Sequence, residues 1–444
     1  MRKDGVLHTA AAILLILNSL HAAGPSYPLK AGPTRRYLTD QNNVPFLIQG
    51  DTPWSLIVEL SESEAEWYLE DRRLKGFNSI IVNLIEHKFA SHPPNNRAGD
   101  PPFLLPGDFT APNEKYFAHA DRIIRMAADR GIQLLLAPCY LGYKGTDEGF
   151  YEEVKAAGPA KCRAYGRTIG SRYRNFDNLI WLVGGDRNPD DVLPHVREMA
   201  EGIRETDGRH LFTAHVAPES APADVYAGES WLAVNNTYSY KLVHDLLLRD
   251  YNRRPQCPFF LIESTYEGEH NASAVQIRRQ AYWAILCGGC GQFFGNLPIW
   301  PFRRGWREAL DSRGSRDMVH LNSLFLSRKW HDLVPDQRHE TVTAGLGEFN
   351  GLDYLAAGLT SDRSTLIAYL PSAREITVDL SRISGNRADA WWFDPRTGTA
   401  RMAGSYANDG PRPFAPPGEG DWVLVVDDTA ANLPAPGITP PPHG

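Results

Sequence analysis

The sequence predicts a (β/α)8 barrel followed by a small all-β sandwich, and three observations carry the prediction. Between Pro45 and Trp330, eight short apolar runs alternate with segments of helical period. Several of these runs, such as Leu179 to Val183, are apolar at every position rather than every second one. That is the mark of a strand covered on both faces, as in a parallel sheet whose crossovers are helices. After about Pro335 the hydrophobic period falls to two, with turn signals roughly every 8–12 residues, which reads as a sandwich. Eight β-then-α units point to a closed barrel. An open doubly wound sheet is the alternative, but no glycine-rich phosphate fingerprint follows the first strand.

Strand one is PFLIQGDTPW (Pro45 to Trp54), with an acidic helix from about Glu62 to Lys75. Strand two, Phe77 to His87, precedes a Pro-rich insertion, Ser91 to Pro112, and a helix whose Phe117, Ala120, Ile124 and Ala127 share one face. Strand three runs from Ile132 to Gly142, and a helix covers about Tyr151 to Arg174. Strand four lies in NLIWLVGGDRNP (Asn178 to Pro189), where Gly184 and Gly185 allow a sharp turn and a close approach. The next helix repeats Val196, Met199, Ala200 and Ile203 on one face. Strand five is His210 to Pro218, followed by an irregular segment; strand six, Trp231 to Tyr240, leads into a helix from Leu242 to Arg249. Strand seven, PFFLIESTYEG (Pro258 to Gly268), precedes a helix from Ala274 to Leu286. Strand eight is Gly291 to Trp300, and the last helix presents Met318, Leu321 and Phe325. The expected divisions are a leader over residues 1–24, the barrel over 25–335, the sandwich over 336–428 and a Pro-rich disordered tail over 429–444.

The leader reads as a secretory signal: Arg2 and Lys3, an apolar core from Ala10 to Leu17, then Ala22-Ala23-Gly24. Its apolar run is too short to stay in a bilayer, and no cysteine stands near it to take a lipid. An exported protein, periplasmic or extracellular and without stable membrane insertion, is expected. Net charge is −7 and no run of Lys or Arg exceeds two residues, so a nucleic-acid partner is excluded on electrostatic grounds. The five cysteines are too scattered for a disulfide framework. Cys287 and Cys290 have metal-like spacing, but no second ligand pair accompanies them and they read as core thiols.

In such a barrel the chemistry sits at the carboxyl ends of the strands. There the sequence places Asp51 and Trp54 after strand one; Asn83, Glu86 and His87 after strand two; and Tyr140 after strand three. Asp186 and Asn188 follow strand four, His215 strand five, Asn235, Asn236 and Tyr238 strand six, Glu263 and Tyr266 strand seven, and Asn296 and Trp300 strand eight. Acids and amides bond sugar hydroxyls, and aromatic faces cover the C–H face of a ring. Trp54, Tyr238 and Trp300 are the candidates for stacking. Two acids at the ends of buried strands, Asp186 and Glu263, are what glycoside hydrolysis requires. Asp186 follows Trp181 and Val183, surroundings that favour a protonated acid. Ser264, Thr265 and Tyr266 follow Glu263, hydroxyls placed to keep a nucleophile ionised. Asp51 serves equally well as a helix cap, His87 and His215 as structural histidines, and Glu267 as a solvent-facing loop residue.

GDTPW, FNSIIVNL, WLVGGDRNP and ESTYEG, in that order over Gly50 to Gly268, resemble the apiosidase-like glycoside hydrolase family. The later WWFDPRTG and DWVLVV are similar to the C-terminal module, labelled collagen-binding, that often accompanies it. The resemblance implies Asp186 and Glu263 as the catalytic pair. It also implies an exo-acting bacterial enzyme that takes a terminal apiose or related pentose from pectic side chains, needing no cofactor or metal. Barrel glycosidases more broadly carry Asn-Glu after strand four, where this chain has Gly185-Asp186. Two other readings compete. One is a metal-dependent hydrolase built on Asp51, His87 and His215, against which stands the lack of His-x-His on strand one. The other is an inactive barrel that binds carbohydrate or matrix, against which stands the presence of both acids.

Overall fold

The computed structural model describes residues 24–438; the leader segment expected over residues 1–24 therefore lies, but for Gly24, outside the described residues. Eight parallel strands form one sheet: β1 (Ile48–Asp51), β2 (Ser79–Asn83), β3 (Gln133–Ala137), β4 (Leu179–Gly184), β5 (Leu211–His215), β6 (Asn235–Tyr238), β7 (Phe259–Glu263) and β8 (Gly291–Phe294). Consecutive strands pair except β5 with β6, and β8 pairs back onto β1. The ladder is interrupted between β5 and β6. There a single parallel bridge, Phe212 to Leu232, is supplemented by the Asn236 side chain, whose Nδ2 donates to Thr213 Oγ1 (2.9 Å) and Ala214 O (2.7 Å).

The crossovers are α1 (Glu62–Leu74), α2 (Glu114–Asp129), α3 (Tyr151–Tyr173), α4 (Leu193–Thr206), a single turn α5 (Pro222–Val225), α6 (His244–Tyr251), α7 (Ala274–Leu286) and α8 (Arg313–Leu326). Sequence chemistry explains the ends. Ser61 and Glu64 make a reciprocal capping box on α1, and Ser273 and Ser312 cap α7 and α8. Helix α3 is broken at Gly158, φ 79°, just before Pro159. The unalternating runs are explained too: Ile80, Val82, Leu134, Leu136, Leu179, Trp181 and Val183 pack with helix residues such as Ile124, Ile169 and Ile203. Their alternates Ile81, Leu135, Ala137, Ile180 and Leu182 belong to a second buried cluster. Both faces are covered. Among the described residues no helix is long and apolar enough to cross a membrane.

The C-terminal region is a sandwich of β9 (Leu333–Pro335), β10 (Val342–Ala344), β11 (Ala356–Thr360), β12 (Thr365–Leu370), β13 (Ile376–Asp379), β14 (Arg387–Asp394), β15 (Thr399–Ala407), β16 (Pro411–Phe414) and β17 (Trp422–Asp428). Six strands form one antiparallel sheet in the order β9-β11-β12-β17-β14-β15, and β10-β13-β16 form the other. The barrel and sandwich share one buried cluster: Tyr282, Trp283 and Phe325 pack with Ile367, Tyr369 and Val423, and the Tyr282 and Tyr369 rings stack at 4.5 Å. Two buried arginines cross the junction. Arg278 of α7 is bidentate to Asp421, both contacts 2.7 Å, and also bonds Asp317 at 2.6 Å. Arg328 pairs with Asp427 at 2.8 Å.

Several boundaries differ from expectation. Pro45 and Phe46 leave strand one to pair with Leu38 and Thr39 in a three-stranded ribbon with Lys30–Ala31. Leu333 to Pro335 leave the barrel as the edge strand of the sandwich, held by antiparallel pairing to β11. The segment after Asp428 is not free chain through its first ten residues: Thr429–Ala431 form a helical turn, and Pro434 O accepts from Arg328 Nη2 at 2.9 Å. All five cysteines are free thiols, Cys287 and Cys290 among them buried.

Candidate active site

The turn after β4 sets the first acid. Gly184 has φ 86°, and a Cβ there would meet His215 O at 2.5 Å; a Cβ on Gly185 would meet Leu141 N at 2.7 Å. Thus the close approach that the glycines permit is of the neighbouring strand ends. Leu141 N donates to Gly184 O (3.0 Å) and Gly185 N to His215 O (3.2 Å). Two residues on, Asp186 enters a pocket of about 200 Å³. His215, Tyr238 and Glu263 are the last residues of β5, β6 and β7, so successive strand ends bring the polar groups together.

One oxygen from each of Asp186 and Glu263 and one ring nitrogen of His215 lie within 4.8 Å of one another. His215 Nε2 is 3.0 Å from Glu263 Oε2. Asp186 Oδ1, the Tyr238 hydroxyl, the Tyr240 hydroxyl and Glu263 Oε1 form a chain with contacts of 2.6, 3.0 and 2.7 Å. With both acids ionised, the two hydroxyls donate outward and the middle contact holds no proton. A third proton, on one carboxyl, fills all three contacts. Burial is the main reason that Asp186 takes it: loss of solvent, then the charge of Glu263, raise its pKa to about 6, against His215 and Tyr238, which act to lower it. Burial lowers the affinity of His215 for its proton, but the two carboxylates outweigh burial and its pKa is raised.

A run of aromatic contacts lines the same pocket: Trp300 to Phe89 (5.0 Å between centroids), Phe89 to Tyr140 (5.5 Å), Tyr140 to Trp54 (6.1 Å) and Trp54 to His215 (5.5 Å). Trp54 Nε1 donates to the Tyr266 hydroxyl at 3.1 Å, and Trp300 Nε1 to Glu269 at 2.9 Å. These bonds fix the two indoles and leave faces for a sugar ring.

Of the residues singled out in the sequence, Trp54, Tyr140, Asp186, His215, Glu263, Tyr266 and Trp300 line this pocket. Tyr238 does not offer a ring face: it is buried and its hydroxyl serves Asp186. Asp51 faces the helix layer, paired with Arg72 at 3.3 Å and accepting from Tyr68 at 2.8 Å. Glu86 accepts from Ser55 at 2.6 Å and from Ala90 N, and burial raises its pKa to about 7. His87 is taken by Glu153 at 2.9 Å. Asn188 and Asn235 accept from the backbone N–H groups of Ala217 and Ala223. Asn83 is fully buried with its amide unpartnered. Asn296 bonds Glu267 at 2.9 Å, and Glu267, rather than facing solvent, also takes the Gly314 N–H at the start of α8. The hydroxyls after Glu263 turn away from it: Ser264 donates to Gln280, and Thr265 accepts from Gln276. The donors to Glu263 are Tyr240 and His215 instead.

Phe89, Glu148, Tyr240 and Glu269 also line the pocket and were missed, because all lie in loops beyond the strands. Tyr240 had a signal, an aromatic two residues after Tyr238 and hence on the same side of an extended chain. The group Asp51, His87 and His215 is not assembled. Among the described residues the one cluster of His, Cys, Asp and Glu close enough to hold a metal ion is Asp186, His215 and Glu263. All four of its carboxylate oxygens already have protein partners, since Tyr143 approaches Asp186 Oδ2 at 3.4 Å.

The family described as "Apiosidase-like, catalytic domain" matches residues 33–332, and the one described as "Putative collagen-binding domain of a collagenase" matches residues 334–427. A solved glycoside hydrolase superposes with a TM-score of 0.81 at 26% identity, over 91% of this chain and 97% of its own. A glycoside hydrolase family 5 structure from Bacteroides vulgatus ATCC 8482 gives 0.80 at 25% identity, over 90% of this chain and 94% of its own. No curated protein sequence matches the chain.

Proposed function

The chain belongs to the apiosidase-like glycoside hydrolases, and on that premise we propose that it is an exported, exo-acting enzyme that removes a terminal pentose, apiose or a close relative, from pectic or other plant polysaccharide side chains. The observation that carries the chemistry is the pair Asp186 and Glu263 facing one pocket with oxygens within 4.8 Å. Retaining enzymes hold their carboxyls about 5–5.5 Å apart, and inverting ones about 6.5–9.5 Å apart to admit water. An oxygen of each acid within 4.8 Å of the other leaves little room for a water between them, and we read this as retention. Protonated Asp186 gives its proton to the leaving oxygen while ionised Glu263 attacks the anomeric carbon. Water then enters, Asp186 takes its proton, and the glycosyl–Glu263 bond breaks. The exo reading rests on the pocket of about 200 Å³, room for one sugar ring between the aromatic walls.

Azide tests the roles. With an activated aryl glycoside, Glu263→Ala should yield a glycosyl azide of inverted configuration, and Asp186→Ala one of the same configuration as substrate. The opposite pattern would exchange the roles, and no azide product from either would remove the covalent route. EDTA should leave turnover unchanged; loss restored by a divalent ion would make the Asp186, His215 and Glu263 cluster a metal site.

The pH profile is a further expected result. Since Asp186 must be protonated and has a pKa raised to about 6, kcat/KM should fall as pH rises through that value. His215→Gln removes a positive charge that acts to lower the pKa of Asp186, so the alkaline limb should move to higher pH. Profiles of the two proteins check this; an unmoved limb would belong to another group.

A further inference from the structure

A second cleft, of about 420 Å³, shares a wall with the active-site pocket: Tyr240 lines both. It lies between α7 and the sandwich loop that carries Leu352, and Lys241, Gln276, Arg279 and Trp283 also line it. The catalytic loop is braced from this side, since Gln276 Nε2 donates to Thr265 Oγ1 at 3.1 Å.

Arg279 is the unusual group here. It is only 9% exposed, and its guanidinium sits over the Trp283 ring at 5.2 Å. Nη1 donates to Leu352 O at 3.1 Å, its one hydrogen bond among the described residues. No acid offsets its burial: loss of solvent holds its pKa below the ordinary value, with only the phenol of Tyr369 acting against it. Its neighbour on the same helix, Arg278, is by contrast saturated by Asp317 and Asp421. Nearby His244, neutral or positive by nature, offers no countercharge, and burial lowers its pKa so that it adds no second cation. A largely buried guanidinium with free planar donors lining a cavity matches a carboxylate, and leaving such a charge unpaired is costly. Lys241 adds a second cation at the rim, 3.7 Å from Glu219.

We propose that this cleft is a subsite for a uronic acid unit of the substrate, whose carboxylate pairs with Arg279 while the chain passes Tyr240 into the pocket. The proposal rests on the glycosidase reading but is tested apart from it, by binding. The probes are α-1,4-digalacturonate and the uncharged α-1,4-galactobiose, titrated calorimetrically into the full-length enzyme at low salt. The acidic disaccharide should bind at least about tenfold more tightly, and Arg279→Gln should bring the ratio to about one. If that variant does not fold, Leu352→Glu decides: Leu352 is exposed, and a carboxylate there supplies Arg279 with an internal partner that should abolish the preference. A ratio near one in the wild-type enzyme, or a preference that survives the folded Arg279→Gln or, where it is the deciding variant, Leu352→Glu, would overturn the subsite. Turnover of an uncharged aryl glycoside by the wild-type enzyme reports on the two carboxylates alone, so its absence would count against the glycosidase reading and not against this one.

Discussion

Glu263→Gln is expected to lower kcat by on the order of 10⁴-fold or more for every substrate, because no covalent intermediate can form without the carboxylate. Asp186→Asn should behave differently. With a poor leaving group it should cost about 10²–10⁴-fold; with a leaving group that departs unprotonated, the first step should be nearly spared and deglycosylation become limiting. A burst of the activated phenol in Asp186→Asn, absent from Glu263→Gln, is the measurement. Equal losses on all substrates would count against the assignment. Stability should move the opposite way to activity. The folded pKa of Asp186, about 6, lies above that of an unfolded aspartate. Its favourable contribution is therefore complete below about pH 4 and is lost as pH rises through about 6. Asparagine escapes that loss, so Asp186→Asn should be more stable than wild type at pH 7, by on the order of 3 kcal/mol, and melt higher.

Breaking the junction between the barrel and sandwich should have the largest effect on stability. Asp421 accepts three hydrogen bonds, two from Arg278 and one from Tyr369 at 3.0 Å, and all three residues are buried. Removing one member of a buried pair costs about 3–5 kcal/mol because the other charge is left in place. Asp421→Ala should therefore lower the melting temperature by roughly 10 °C. Ending the chain at residue 332 removes Asp421 and Asp427, the sandwich partners of Arg278 and Arg328, and uncovers Tyr282 and Phe325; that protein should be insoluble or lose cooperative melting. A stable truncated barrel would show the sandwich to be dispensable for folding. If it were also inactive on soluble substrate, site residues would have to be sought in the sandwich.

The barrel was legible because its strands are buried on both faces, so Leu179 to Val183 or Phe259 to Ile262 stand out as unbroken apolar runs. Their ends were less so. Leu84 and Ile85 continue the apolar run of β2 but pack beneath the following loop, beyond the ladder. In the sandwich, β15 was invisible since most of its residues are exposed or half-exposed, leaving no alternation to read. The two acids could be found because each ends an apolar run. Asp51 ends one too, yet points at Tyr68 and Arg72: polarity at a strand end does not say which layer a side chain faces. The signal lay in α1, where Tyr68 and Arg72, four residues apart on one face, are an aromatic and a cation in need of a buried acid.

The closure of the barrel carries one more consequence. Where main-chain ladders close seven of the eight gaps, the gap between β5 and β6 is held by one main-chain bridge, Phe212 to Leu232, and by one side-chain amide, that of Asn236. The strands on either side bear His215 and Tyr238, the partners of Glu263 and Asp186. Closure of the ring is thus shared there with a side chain that mutation can change, whereas a ladder of peptide groups is common to every sequence. A substitution at position 236 therefore acts on the spacing of the strands that carry the partners of Asp186 and Glu263, while both acids stay untouched.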